Sequence, residues 1–304
     1  MISAQNIVKS FGTLKAVNGV SLEIRQGEFY SLLGPNGAGK STTINILSSL
    51  IPADSGKCSI KGHSLPDATD QAKIILGVVP QEIALYGDLS ATDNLMFWGG
   101  LYKVSKSDLA VRAKKLLADF GLSDRSNDKI NTYSGGMKRR INIACAMMHD
   151  PEVLFMDEPT VGIDPQSRNN IYDTMVRLKG EGKTILYTTH YMEEAERFSD
   201  RIGIIDNGSI IAEGTLEELR TKGGVQESVG IECASVPENL SALNGMEYVR
   251  SENKLSFPVI SVKSSLPQIL QKCFEAGIDV THVDVARANL ESVFLALTGK
   301  KLRD

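Results

Sequence analysis

Gly34, Pro35, Asn36, Gly37, Ala38, Gly39, Lys40, Ser41 and Thr42 spell GxxxxGK(S/T), the pattern of a phosphate-binding loop. The apolar run Phe29, Tyr30, Ser31, Leu32, Leu33 precedes it, and Thr43, Ile44, Asn45, Ile46, Leu47 come after it. The loop therefore joins a buried strand to a helix, a context that a chance glycine turn lacks. Glycines let successive backbone N–H groups converge on a polyanion, and the helix end adds a positive field. In such a loop Lys40 reaches the β/γ-phosphates and the Ser41 hydroxyl ligates Mg2+.

A chain of 304 residues with 42% hydrophobic content is expected to build one large and one small domain. Its net charge of −4 gives no basic footprint, so no nucleic acid partner is expected. Cys58, Cys145, Cys233 and Cys273 are scattered, without the spacing of a zinc site or a disulfide framework, and read as buried thiols. No run approaches the roughly 18–20 apolar residues of a membrane span, and no basic-then-apolar leader is seen. These features predict a cytoplasmic chain.

Residues 2–27 alternate apolar and polar between turn residues and predict antiparallel strands beside the loop. Phe11, just before Gly12, is placed to stack on a base or to serve as an ordinary strand aromatic. The run 74–79 predicts a strand that ends on Pro80 and Gln81, and residues 90–150 switch to helical periodicity. Trp98 and Tyr102 in that helical stretch read mainly as core. Ser134 is a good N-cap, and Gly135 and Gly136 expose the first N–H groups of the next helix, a second candidate anion site. Lys138, Arg139 and Arg140 behind it read as a solvated basic turn.

Residues 153–156 form an apolar strand that delivers Asp157 and Glu158 at its C-terminal end, the edge of an α/β sheet where ligands lie. Asp157 can hold Mg2+ and Glu158 can orient and deprotonate water. A second buried strand, 183–189, ends on His190 at the same edge, where it can meet a γ-phosphate or the water. A hairpin turn at Asn207 and Gly208 closes the first domain near residue 222.

Taken in order, these motifs closely resemble the ATP-binding subunit of an ABC transporter over residues 2–222. The resemblance implies an α/β P-loop NTPase core with an antiparallel β subdomain and a helical subdomain at about 82–150. It implies ATP and Mg2+ as cofactors and identifies Phe11 with the adenine-stacking aromatic, Gln81 with the Q-loop glutamine and metal contact, and Ser134, Gly135 and Gly136 with the signature loop. It likewise identifies Asp157 with the metal-strand aspartate, Glu158 with the catalytic base, residues 161–164 with the D-loop and His190 with the switch histidine. Tyr133 and Met137 depart from the common LSGGQ signature; Met137 offers packing where the family has an amide. This form resembles the ABC-2 exporter group, with its daunorubicin-type drug-resistance ATPases.

In that family each ATP is clamped between the phosphate loop of one subunit and the signature loop of another. A homodimer or paired ATPase subunit is therefore expected, together with a separate membrane-spanning permease on whose cytoplasmic face the chain sits. Reversing a 99:1 open dimer needs about 5.5 kcal/mol, within reach of two shared triphosphates. The expected function is ATP-driven export. The competing readings are an importer ATPase with a regulatory tail, or a family member acting on ribosomes or DNA.

Residues 225–304 form the second expected domain. Strands at 228–233, 248–260 (a hairpin) and 280–285 alternate with helices at 237–243 and 264–276, a βαββαβ order that predicts a small α+β ferredoxin-like unit. A last helix lies at 289–297, and the ending 289–300 looks like the tail of ABC-2 drug-exporter ATPases. Dimerisation, regulation and simple stabilisation are all open roles for this domain.

Overall fold

In the computed structural model, residues 1–102, 104–224, 227–237, 240, 243, 245–259, 262–286 and 289–299 are described. The chain divides into two compact units, Met1–Thr215 and Leu216–Lys301.

The first unit opens with a hairpin, β1 (Ile2–Phe11) and β2 (Leu14–Ile24), turning at Gly12 and Thr13. Then come β3 (Phe29–Leu33), α1 (Lys40–Leu47), β4 (Ser55–Ile60), β5 (His63–Leu65), α2 (Thr69–Ile75) and β6 (Leu76–Val79). Ile74 and Ile75, expected in a strand, close α2 instead, and β6 begins at Leu76. The helical stretch holds α3 (Ala91–Gly100), α4 (Lys106–Asp119) and α5 (Gly135–Ala146). The unit finishes with β7 (Val153–Asp157), α6 (Pro165–Gly180), β8 (Thr184–Thr189), α7 (Met192–Phe198), β9 (Arg201–Asp206) and β10 (Ser209–Gly214).

The main sheet has the order β10-β9-β3-β8-β7-β6, parallel except for the β10 edge, and an antiparallel sheet has the order β2-β1-β4-β5. Strand periodicity divides the core in two. On β7, Leu154 and Met156 join the cluster built with α3, α4, α5 and α6, while Val153 and Phe155 join the cluster shared with β1, β2 and β4. Both faces of β3, β7 and β8 are thus covered, which is why these strands are continuous apolar runs. Trp98 packs partly buried against the first cluster, whereas Tyr102 is 37% exposed and stacks on His149.

In the second unit, α8 (Leu216–Lys222) packs against the C-terminal α10 (Leu290–Thr298). Between them lie β11 (Glu227–Cys233), β12 (Val249–Ser251), β13 (Lys254–Val259), α9 (Val262–Glu275) and β14 (Val280–Ala286). The antiparallel order β12-β13-β11-β14 is that of a ferredoxin-like sheet. Ile269 and Cys273 of α9 pack with Val229, Ile231, Leu255 and Phe257. Residues 238, 239, 241 and 242 of the helix expected at 237–243, Ile260 of the hairpin and Lys300 of the tail lie outside the described residues. All four cysteines are buried and free.

Candidate nucleotide site

Strand order explains why distant motifs meet. β8 lies between β3 and β7, so the residues that come after these three strands emerge side by side at one sheet edge. After β3 the chain turns through the glycine loop into α1. Gly39 has φ 103°, and a Cβ there would run into the Ala16 carbonyl, so only glycine fits at this point. No side chain caps α1, which leaves its first amides to a ligand.

Lys40, the first residue of α1, is 3% exposed. Its ammonium donates to the carbonyls of Gly34 at 2.7 Å and Pro35 at 2.9 Å and pairs with Glu158 Oε1 at 2.9 Å. Those three acceptors match the three N–H groups of a lysine, so phosphate can engage Lys40 only by replacing one of them.

The β7–β8 ladder ends with Asp157 beside Thr188. The Thr188 hydroxyl donates to Asp157 Oδ1 at 2.6 Å and accepts the Glu158 N–H at 3.1 Å. Glu158 then takes φ 44°, unusual for a residue other than glycine, which turns its side chain out of the strand direction. Its Oε2 lies 3.0 Å from His190 Nδ1. Because a carboxylate only accepts, this contact assigns the imidazole proton to Nδ1 and leaves Nε2 as the other polar atom of the ring. Lys40, Glu158 and His190 thus form one largely buried group, with Asp157 tied to Glu158 through Thr188.

Ser41, half-buried on the first turn of α1, and Asp157 at the end of β7 bring hard oxygen donors to the same sheet edge. Among the described residues no cluster of three His, Cys, Asp or Glu side chains could hold a metal ion. That donor chemistry suits Mg2+, which is bound through one or two protein oxygens together with substrate phosphates rather than in an all-protein cage.

The remaining expected residues stand apart from the buried group: among the described residues, no hydrogen bond or ion pair joins Phe11, the Gln81 side chain, Ser134, Gly135 or Gly136 to it. Phe11 ends β1 with 52% of its surface exposed, and the Lys9 ammonium lies 5.8 Å from its ring centre. Gln81 is exposed just after β6. Ser134 caps α5 by accepting the Met137 N–H at 3.3 Å. A Cβ on Gly136 would run into the Ser167 side chain, so α5 approaches the start of α6 more closely than alanine permits. Tyr133 is buried, its hydroxyl donating to the Arg125 carbonyl at 2.5 Å.

Two side chains here were not foreseen. Lys138, Arg139 and Arg140 are helical, not a solvated turn, because α5 starts at Gly135. Arg139 is 4% exposed, donating to the carbonyl of Pro80 at 2.8 Å and to that of Gln81. The signal was in the spacing: Gly136, Arg139 and Ile143 recur at helical intervals and are all buried. Glu194 is also buried, with hydroxyl partners as far as 34 residues away in the sequence, and no local pattern announces it.

Residues 17–161 match the ABC transporter family. The linearmycin resistance ATP-binding protein LnrL of Bacillus subtilis is 44% identical over the whole of both chains. This chain belongs to the ABC transporter ATP-binding family. The doxorubicin resistance ATP-binding protein DrrA of Mycobacterium tuberculosis is 38% identical, covering 94% of this chain and 89% of that one. Among solved structures, a dimeric post-hydrolysis ATP-binding cassette bound to ADP and phosphate superposes with TM-score 0.65 at 28% identity, covering 71% of this chain and 98% of that one. As an ABC ATPase, the chain binds and hydrolyses ATP.

Proposed function

We propose that the chain powers an exporter, with Lys40, Glu158 and His190 as the centre of its ATPase site. The observation that carries this reading is that Lys40 and His190 hold different oxygens of one buried carboxylate. Lys40 exchanges its Glu158 contact for the β/γ-phosphates, and the freed carboxylate orients and deprotonates the attacking water. His190 steadies Glu158 through Nδ1 and presents Nε2 toward the γ-phosphate. Ser41, Asp157 and Gln81 would hold Mg2+, which would supply neutralisation of the phosphate charge. Phe11 stacks on the adenine.

Ser134, Gly135 and Gly136 close over the nucleotide of a paired subunit, making the active unit a dimer. The exposed aromatic pair Tyr86 and Phe97, edge-to-face at 4.8 Å, with exposed Ile83 and Leu89 on the same loop as Tyr86, supports docking to a membrane-spanning permease. Docking there places the chain on the cytoplasmic face of the membrane. The resistance names of the relatives favour outward transport.

Replacing Glu158 with Gln tests this directly. Turnover should fall by about 10²-fold or more, the loss expected for a general base, while ATP binding and ATP-driven dimerisation persist. Steady-state hydrolysis at the parental rate would remove Glu158 from the role.

A further inference from the structure

Behind the site lies a carboxylate that none of these steps uses. Glu194 of α7 is 1% exposed, and four hydroxyl groups donate to it. Thr160 at 2.6 Å and Tyr172 at 3.0 Å bind Oε1; Tyr187 at 2.8 Å and Thr189 at 2.7 Å bind Oε2. Among the described residues no lysine or arginine forms an ion pair with it. A carboxylate buried without a cation is costly unless its lone pairs are filled, and four O–H donors fill them. Burial and the neighbouring Glu194 both push the Tyr172 and Tyr187 phenols up, which keeps them protonated as donors.

The origin of these hydroxyls gives the cluster its meaning. Thr160 stands two residues beyond Glu158, at the start of the loop into α6, and Tyr172 lies on α6 itself. Thr189 directly precedes His190, and its hydroxyl also accepts the Tyr191 N–H at 2.9 Å, so both neighbours of His190 are tied to the cluster. The β7–β8 ladder stops at Asp157 and Thr188, one residue short of Glu158 on one strand and two short of His190 on the other. Past that point the Glu158 N–H still donates to the Thr188 carbonyl at 3.2 Å and hydroxyl at 3.1 Å, whereas Thr160 and His190 need further ties.

We infer that Glu194 is a positioning residue for ATP hydrolysis: through Thr160 and Thr189 it sets the spacing between the Glu158 carboxylate and the His190 imidazole. The inference rests on the roles proposed for Glu158 and His190 in the ATPase site. A glutamine at 194 would keep the volume but bring two N–H groups to hydroxyls that now donate. Those hydroxyls would have to turn round, and the segments they hold would shift.

The test uses the full-length chain with Glu194→Gln, His190→Ala and the double variant, measuring kcat, KM for ATP and thermal midpoint. Glu194→Gln should lower kcat about tenfold or more with KM within about threefold of the parent. Added to His190→Ala, it should cost less than about twofold further, because its effect runs through His190. A purely structural role would instead lower the thermal midpoint and leave the losses multiplicative; that result, or parental kcat in the single variant, overturns the inference. If Glu194→Gln does not fold, Thr189→Val removes one donor and is judged by the same two criteria. Parental turnover in both His190→Ala and Glu158→Gln would instead overturn the site assignment beneath the inference.

Discussion

His149 shows what burial does to one side chain. Its ring stacks on Tyr102 at 3.6 Å, Nε2 lies 3.0 Å from the Leu76 carbonyl, and burial pushes its pKa down to about 4. In an unfolded chain a histidine titrates near 6.5. Between those values the unfolded state takes up a proton that the folded state refuses. Stability is therefore intact above about pH 6.5 and is lost as pH falls toward about 4. This one group should remove on the order of 2 kcal/mol across the window, after allowance for its partial exposure. Urea unfolding at pH 7 and pH 4.5 should show a steeper loss for the parent than for His149→Gln; equal losses would assign the acid sensitivity elsewhere. Lys40 and Glu158, by contrast, were legible from sequence because each comes after a short buried strand at fixed spacing. Glu194 was not, since its partners meet only when β7, β8 and α6 are assembled.

At the scale of elements, α5 is more than the carrier of the signature loop. Arg139 holds the carbonyls of Pro80 and Gln81, and Asn142 Oδ1 accepts the Ala84 N–H at 3.2 Å, so one helix grips the loop after β6 at two points. Asn94 of α3 grips it again, accepting the Tyr86 N–H at 2.8 Å and donating to its carbonyl at 3.1 Å. Arg139→Met comes close to the volume but leaves the Pro80 and Gln81 carbonyls without their donor, so global stability should fall by about 1–3 kcal/mol. Local opening should follow: hydrogen exchange at the Ala84 and Tyr86 amides should speed up about tenfold or more, with smaller increases in β7 and β8. Unchanged exchange would mean that the asparagines suffice. The start of α5 also shows where sequence reading loses resolution. Three basic residues behind the glycines look like a solvated turn, yet the helix capped by Ser134 runs through them. Similarly Ile74 and Ile75 favour a strand by branching alone, and the packing of α2 overrides that preference. The three-residue β5 is too short to carry a periodic signal.

At the scale of the whole molecule, every proposed site residue falls between Phe11 and His190, inside the first compact unit. ATP binding should then survive loss of the second unit. Where the chain is cut matters, however. α8 packs against α10, and its Leu219 is fully buried, so the helix belongs to the second unit. A chain ending at residue 215 should stay soluble, whereas one ending at residue 224 keeps α8 without α10, exposes Leu219 and should aggregate more readily. The second unit also carries exposed Val249 and Phe274 and leaves β12 and β14 as sheet edges, features suited to contact with another chain. In a Glu158→Gln background, the chain ending at 215 should therefore bind a fluorescent ATP analogue as the full chain does but form less ATP-driven dimer by light scattering. The opposite pattern, unchanged dimer mass with lost nucleotide affinity, would place the second unit in nucleotide binding instead of assembly.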